Sequence, residues 1–168
     1  MAEKKTPAPA PEQTNEASQA AGPQFAIEKL YVKDLSLEVP NAPQIFLDRE
    51  PPQIAIELQT NVNSLGDNMY DVSLKVTVTA KAGDKTVFLV EVAQAGVFGV
   101  TGVPEEQLQP ILMIACPNIL FPYARETVSD AVTRAGFSPV VLQPVNFEAM
   151  YMQRLQEQAP APTEVPIQ

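Results

Sequence analysis

The sequence predicts an α+β fold, a four-stranded antiparallel sheet with helices packed on one face, and three observations carry that prediction. Apolar and polar residues alternate with strand periodicity in four segments, all of them N-terminal to Gly96. Helical spacing replaces that pattern only after Pro104. Turn-forming residues near 61–69 and 81–85 join the last three strands into an antiparallel meander. Strands first and helices second place the helices together on one side of the sheet.

In the first strand Leu35, Leu37 and Val39 alternate with Asp34, Ser36 and Glu38, after a less regular start at Phe25 and Ile27. The link to the second strand, VPNAPQIFLDREPP, contains Pro40, Pro43, Pro51 and Pro52, which forbid a regular ladder. Ile45, Phe46 and Leu47 are nonetheless too apolar for an idle loop, so the link reads as an extended crossover packed against something. The second strand sets Ile54, Ile56 and Leu58 against Ala55, Glu57 and Gln59. The third sets Tyr70, Val72, Leu74, Val76 and Val78 against Asp71, Ser73, Lys75, Thr77 and Thr79. After Ala82-Gly83-Asp84 the fourth runs from Thr86 to about Gln94, and it differs from the others. Phe88, Val90 and Val92 share one face, while Val87, Leu89, Ala93 and Ala95 make the other apolar too. Such a strand is central, or covered on both sides, and the second cover must come from elsewhere in the chain or from another subunit.

Glu105 and Glu106 favour a helix start, and Leu108, Ile111, Leu112 and Ala115 follow at helical spacing. Pro110, Pro117 and Pro122 predict breaks or kinks before a second stretch from Tyr123 to Ala135, with Gly136 as its stop. A last helix starts after Asn146, a favoured N-cap, and runs to about Gln158, with Phe147, Met150, Tyr151 and Leu155 on one face.

Residues 1–24 are rich in Pro, Ala, Gln and Glu, and 159–168 read APAPTEVPIQ. Neither end can bury enough apolar surface to offset its chain entropy, so two disordered tails are expected around one domain at 25–158. A formal charge of −9 repels phosphate backbones and argues against nucleic-acid binding. Lys4 and Lys5 are followed by no apolar stretch of signal-peptide type, and the run Ile111 to Cys116 is far short of a membrane span. The lone Cys116 forms no internal disulfide and fits a reducing, cytoplasmic setting.

The chain has no histidine, which excludes Ser-His-Asp and Cys-His catalysis and every His-bearing metal site. GVFGVTG, from Gly96 to Gly102, lacks the Lys-Ser/Thr ending of a nucleotide loop and reads as a strand ending in a bulge or a close backbone approach. No enzyme activity, cofactor or metal is expected. Asp34 and Glu38 share a strand face about 13 Å apart, wider than the paired carboxylates of glycosidases. A solvated sheet face is the ordinary reading of these acids, and a docking surface suits them better than catalysis. Phe46, Phe137, Leu142, Met150 and Tyr151 would individually complete a core; together they sit on segments bounding the sheet and its helical cover, where adaptable Met and aromatic side chains suit promiscuous apolar recognition.

Three strings, LYVKDLSLEVPNAPQIF (Leu30 to Phe46), CPNILFPYARE (Cys116 to Glu126) and PVNFEAMY (Pro144 to Tyr151), resemble the SecB family of protein-export chaperones across about 25–155. The resemblance implies a holdase that binds unfolded secretory preproteins in the cytoplasm, keeps them competent for translocation and delivers them to the SecA translocase motor. It implies a homotetramer built as a dimer of dimers, with the first long helix central to assembly. It implies a SecA-binding sheet face, at Asp34, Glu38, Leu89 and Glu91 here. It also implies an apolar groove for unfolded substrate, for which Phe46, Ile54, Ile56, Leu58, Phe137, Leu142, Met150, Tyr151 and Leu155 are the matching candidates. The C-terminal end departs from the family pattern, being Ala/Pro-rich with Glu164 as its only late charge. Two other readings fit the same groove: a SecB-like chaperone dedicated to one client such as an antitoxin, and a carrier of a small hydrophobic ligand.

Overall fold

Alternation of β-branched and polar residues lets each strand offer one apolar face, and the turns decide how the strands meet. In the computed structural model, which describes residues 22–158, four strands form one antiparallel sheet. They are β1 (Gln24–Glu38), β2 (Gln53–Gly66), β3 (Met69–Ala82) and β4 (Lys85–Thr101), in the order β1-β4-β3-β2. The tails expected over 1–24 and 159–168 fall, apart from residues 22–24, outside the described residues, and β1 begins at Gln24.

Asp67 and Asn68 both take positive φ, 51° and 59°, and close the β2–β3 hairpin in two residues. Gly83, at φ 56°, does the same for β3–β4 with Asp84. β1 returns through the crossover to the far side of β4, so the strand apolar on both faces is indeed an interior one. A short 3-10 turn at Gln44–Leu47 drives Ile45 into the core and leaves Phe46 half-exposed. The side chain of Asn41 ties the crossover to the sheet by donating to the Thr86 carbonyl at 2.8 Å.

β4 is longer than its alternation suggests, continuing through the glycines to Thr101. A Cβ on Gly96 would lie 2.8 Å and 2.9 Å from ring carbons of Phe98, and 3.0 Å from Leu30. The missing side chain is therefore what lets the fully buried Phe98 ring lie back along its own strand, where Phe25 of β1 stacks on it at 5.7 Å.

The prolines do not divide the helical region as expected. α1 (Glu105–Pro110) runs through a π-helical turn, Ile111–Ala115, directly into α2 (Cys116–Arg134), giving one continuous rod. Pro117 has no N–H to offer the carbonyl four residues back, and the ladder widens there instead of breaking. Asn118 contributes by donating its side-chain amide to the Ile114 carbonyl at 2.9 Å. Gly136, at φ 91°, ends the rod. The Gly136 N–H bonds the Thr133 carbonyl and the Phe137 N–H the Val132 carbonyl, at 3.0 and 3.3 Å. Asn146 caps α3 (Phe147–Gln158) as expected, accepting from the Ala149 N–H at 2.9 Å.

α2 lies over β4 and β3, and the core is the layer between them: Val76, Val78, Val90 and Val92 from the sheet, Leu120, Ala124, Val128 and Val132 from the helix. That side of the sheet is its helix face; the other is its open face. Across the open face Tyr31 and Lys33 of β1 reach over β4 to Asp71 of β3. Tyr31 donates to Oδ1 at 2.8 Å and Lys33 to Oδ2 at 2.6 Å. Ala95, opposite Tyr31, is small enough to let them pass. Burial pushes the Asp71 carboxyl up, but the hydrogen bonds from Lys33 and Tyr31 outweigh it and hold it below its ordinary value.

Two outcomes follow for stability. Gly96→Val overpacks the Phe98 site and should cost about 1–3 kcal/mol in urea unfolding, whereas Gly99→Ala, whose Cβ would meet nothing nearer than 3.4 Å, should cost much less. Asp71 has a folded value below its unfolded one, near 3.9, so its contribution is complete above that value and lost as pH falls through the folded value. Acid unfolding of Asp71→Asn should accordingly begin from a lower stability at neutral pH and lose less of it on acidification; an unchanged pH profile would remove the clamp from the account.

Candidate functional site

Strand register decides which acids share a surface. Asp34 lies opposite Ala93, Ser36 opposite Glu91 and Glu38 opposite Leu89, while Leu35 and Leu37 face Val92 and Val90 of the core. Asp34, Glu38, Leu89 and Glu91 therefore all stand on the open face, on two adjacent strands. Asp34 and Glu38 are exposed on the edge strand, and Leu89 and Glu91 half-buried on its neighbour. The patch is two strands wide and about 13 Å long, counted from the rise of a strand. It combines carboxylates with one apolar anchor, which suits a cationic protein surface more than a small substrate.

Two residues beside the patch, on β3, were not singled out in the sequence. Lys75 of β3 pairs with Glu91 at 2.8 Å, and the Thr77 hydroxyl donates to the other Glu91 oxygen at 3.3 Å. The Lys75 hydrogen bond, aided by its charge, holds the Glu91 carboxyl below its ordinary value. Alternation already placed Lys75 on this face. Its row did not follow from alternation, because β4 bulges at Val87, shifting every β3–β4 pair beyond the turn by one residue.

On the helix face the apolar candidates separate into two groups. Leu58, Met150 and Tyr151 line a cleft of about 300 Å³ between β2 and α3, with Thr60, Met113, Phe147 and Arg154. Tyr151 and Leu155 continue into an adjoining cleft of about 710 Å³ with Val62, Tyr70, Leu108 and Leu112. At the other end Phe46 and Phe137 stack at 5.1 Å beside a cleft of about 270 Å³ that also takes in Ile45, Pro52, Ala82 and Val87. Phe137 in turn meets Phe88 of the core, again at 5.1 Å.

Ile54 and Ile56, opposite Ala80 and Val78, are consecutive helix-face positions of β2 and remain 41% and 45% exposed. They join the crossover cleft to the α3 clefts along one edge. From Ile54 to Val62 the edge is about 27 Å long. Leu142, by contrast, is 3% exposed and packs in the core of the single chain, where it offers no surface to the strip. Val62, Met113 and Leu108 line the strip although the sequence reading did not place them in the groove.

Cys116 is buried beneath this layer, and burial pushes its thiol up to about 12, so no thiolate nucleophile is available there. Among the described residues no three His, Cys, Asp or Glu side chains gather as a metal site, and no helix is long and apolar enough to cross a membrane.

The family model described as "Preprotein translocase subunit SecB" matches residues 18–158. A protein-export protein SecB of Dechloromonas aromatica is 72% identical over 146 residues, covering 87% of this chain and 96% of that protein. The corresponding protein of Methylobacillus flagellatus is 62% identical over 145 residues, covering 86% and 92%. Among solved structures, a SecB-like chaperone of Mycobacterium tuberculosis, in complex with an antitoxin peptide, superimposes with a TM-score of 0.60 at 19% identity. It covers 72% of this chain and 90% of that one, a likeness of fold. With its sheet, its crossover and its helical rod matched along nearly the whole described length, the chain belongs to the SecB family of protein-export chaperones.

Proposed function

We propose that this chaperone holds unfolded preproteins along the apolar β2 edge and presents them to the SecA motor through the acidic patch on the opposite face of the sheet. One observation carries the reading: the apolar strip and the acidic patch are separated by the sheet itself, so cargo and motor need not compete for space. A strip of about 27 Å accommodates roughly eight residues of extended chain. Its lining of Leu, Ile, Met and aromatic side chains selects apolar character without demanding one sequence. Arg154, which reaches the Thr60 carbonyl at 3.5 Å, is a polar donor at the strip's margin.

No covalent step is needed. A precursor that folds slowly exposes apolar segments long enough to be captured, and several weak contacts on one chain raise avidity without any tight site. A native protein has buried those segments and offers nothing to the strip.

Assembly as a homotetramer, a dimer of dimers in the cytoplasm, completes the proposal. Phe25, Ile27, Val32 and Leu35 lie on the helix face of edge strand β1 and are between 43% and 49% exposed. Covering this stripe with a second copy would bury it and blunt an open sheet edge. Several strips on one assembly then hold a long client at once.

Dilution of a denatured, slowly folding precursor into the purified protein should show suppressed light scattering, while the native precursor is ignored. Met150→Glu should weaken that suppression and Asp34→Lys should leave it intact. SecA binding should respond in the opposite way, and equal loss of both activities in either variant would sink the two-surface reading. Leu35→Glu should lower the oligomeric mass measured by light scattering on a size-exclusion column; an unchanged mass would remove β1 from the interface.

A further inference from the structure

The acids of the open face are not equivalent. Among the described residues Asp34 and Glu38 take part in none of the ion pairs, whereas Glu91 is already neutralised from within the chain by Lys75. We propose that Lys75 is a built-in competitor for Glu91, a specificity-determining residue that an incoming cation must displace, and that Glu57 receives it when displaced. The inference rests on the docking role of the acidic patch and names the residue that sets its strength.

The register gives the geometry. On the open face Lys75 stands between Gln59 of β2 and Ala93 of β4. One row along, Thr77 stands between Glu57 and Glu91. Lys75 thus has a carboxylate diagonally across on each side, Glu91 on β4 and Glu57 on β2, and diagonal neighbours lie within reach of long side chains. Glu57, Lys75, Thr77 and Glu91 line one shallow depression on this face. Glu91 holds the ammonium at 2.8 Å, and Glu57 is the alternative acceptor on the same surface.

A partner's Arg or Lys arriving at Glu91 meets a carboxylate whose charge is already balanced. Binding exchanges one ammonium for another cation, and the transfer of Lys75 to Glu57 keeps its charge compensated. The exchange weakens docking at rest and selects for a cation that gains more than Lys75 loses, such as a guanidinium with its forked donors. It also lets the motor dissociate after transfer, which a fully open acidic patch would resist.

The test titrates purified SecA onto the full-length protein and its variants at two salt concentrations. Lys75→Met should tighten binding by about threefold to tenfold at low salt, speed association and steepen the salt dependence, since one screening charge is gone. Lys75→Arg, which keeps the charge and can hold Glu91 with forked donors, should bind no tighter than wild type. Glu57→Gln should weaken binding in the wild-type background and have little effect alongside Lys75→Met, where nothing needs to be received. Thermal unfolding and aggregation suppression should be unchanged in every variant. Equal or weaker binding by Lys75→Met, while Asp34→Lys still weakens it, would overturn the competitor role and leave the docking face standing. If Asp34→Lys binds as wild type, the docking face itself falls, and this inference with it.

Discussion

A single helix cannot cover a four-stranded sheet, and the exposed apolar margins of this molecule follow from that mismatch. Four strands present a surface about 19 Å wide at 4.8 Å per strand, against a helix about 10 Å across with its side chains. α2 is set over the two interior strands, and there the packing is complete: Val76, Val78, Val90 and Val92 have no exposed surface. On either side the same apolar alternation continues into the edge strands, where the helical cover is incomplete. Phe25, Ile27, Val32 and Leu35 on β1, and Ile54 and Ile56 on β2, are the outcome. An ordinary monomer would carry polar residues there. The two margins are exposed for different reasons under the proposed function, one to meet a copy of the chain and one to meet an unfolded client.

α3 distinguishes the two margins. It lies beside β2, closing part of that edge into clefts, while β1 has no counterpart. A cleft with a helical wall suits a single extended chain, because side chains on both walls contact it. A flat stripe along an open edge suits another sheet or a broad helical surface. The crossover extends the walled margin at its far end, where Phe46 leans on Phe137 and on the open backbone of Gly136. Glycine is required at 136 by its φ of 91°, while a Cβ there would make only ordinary contact with the Phe46 ring at 3.4 Å.

Much of the architecture was legible because local rules and the fold agree. The two-faced alternation of β4 announced an interior strand, Asn146 announced its helix, and Gly136 its stop. What was not legible depends on register and on context. β1 alternates in three phases, Phe25 and Ile27, then Leu30 and Val32, then Leu35 and Leu37, because bulges at Glu28 and Lys33 each insert one residue. From sequence this looks like an irregular start. The prolines of the rod misled for a different reason. A proline's missing N–H breaks an isolated helix, but Pro117 is buried against the sheet, and packing holds the rod together while a π-turn absorbs the mismatch. Leu142 was a groove candidate by resemblance and by its apolar character, and burial places it in the core of the single chain.

The open face carries the same lesson into function. Counting acids on alternating positions finds Asp34, Glu38 and Glu91 and assigns them one role. Only the paired register shows that two of them stand free of ion pairs among the described residues while the third is held by Lys75. An exposed ion pair contributes little to stability, so the pair's value to the fold is a weak reason for its presence on the proposed docking surface. Its consequence for binding is larger, because it determines how much charge the patch offers an arriving partner. Under the proposed function the chaperone must bind the receiving motor and then let it go. A patch in which part of the negative charge is already occupied from within meets both demands better than one in which all of it is free.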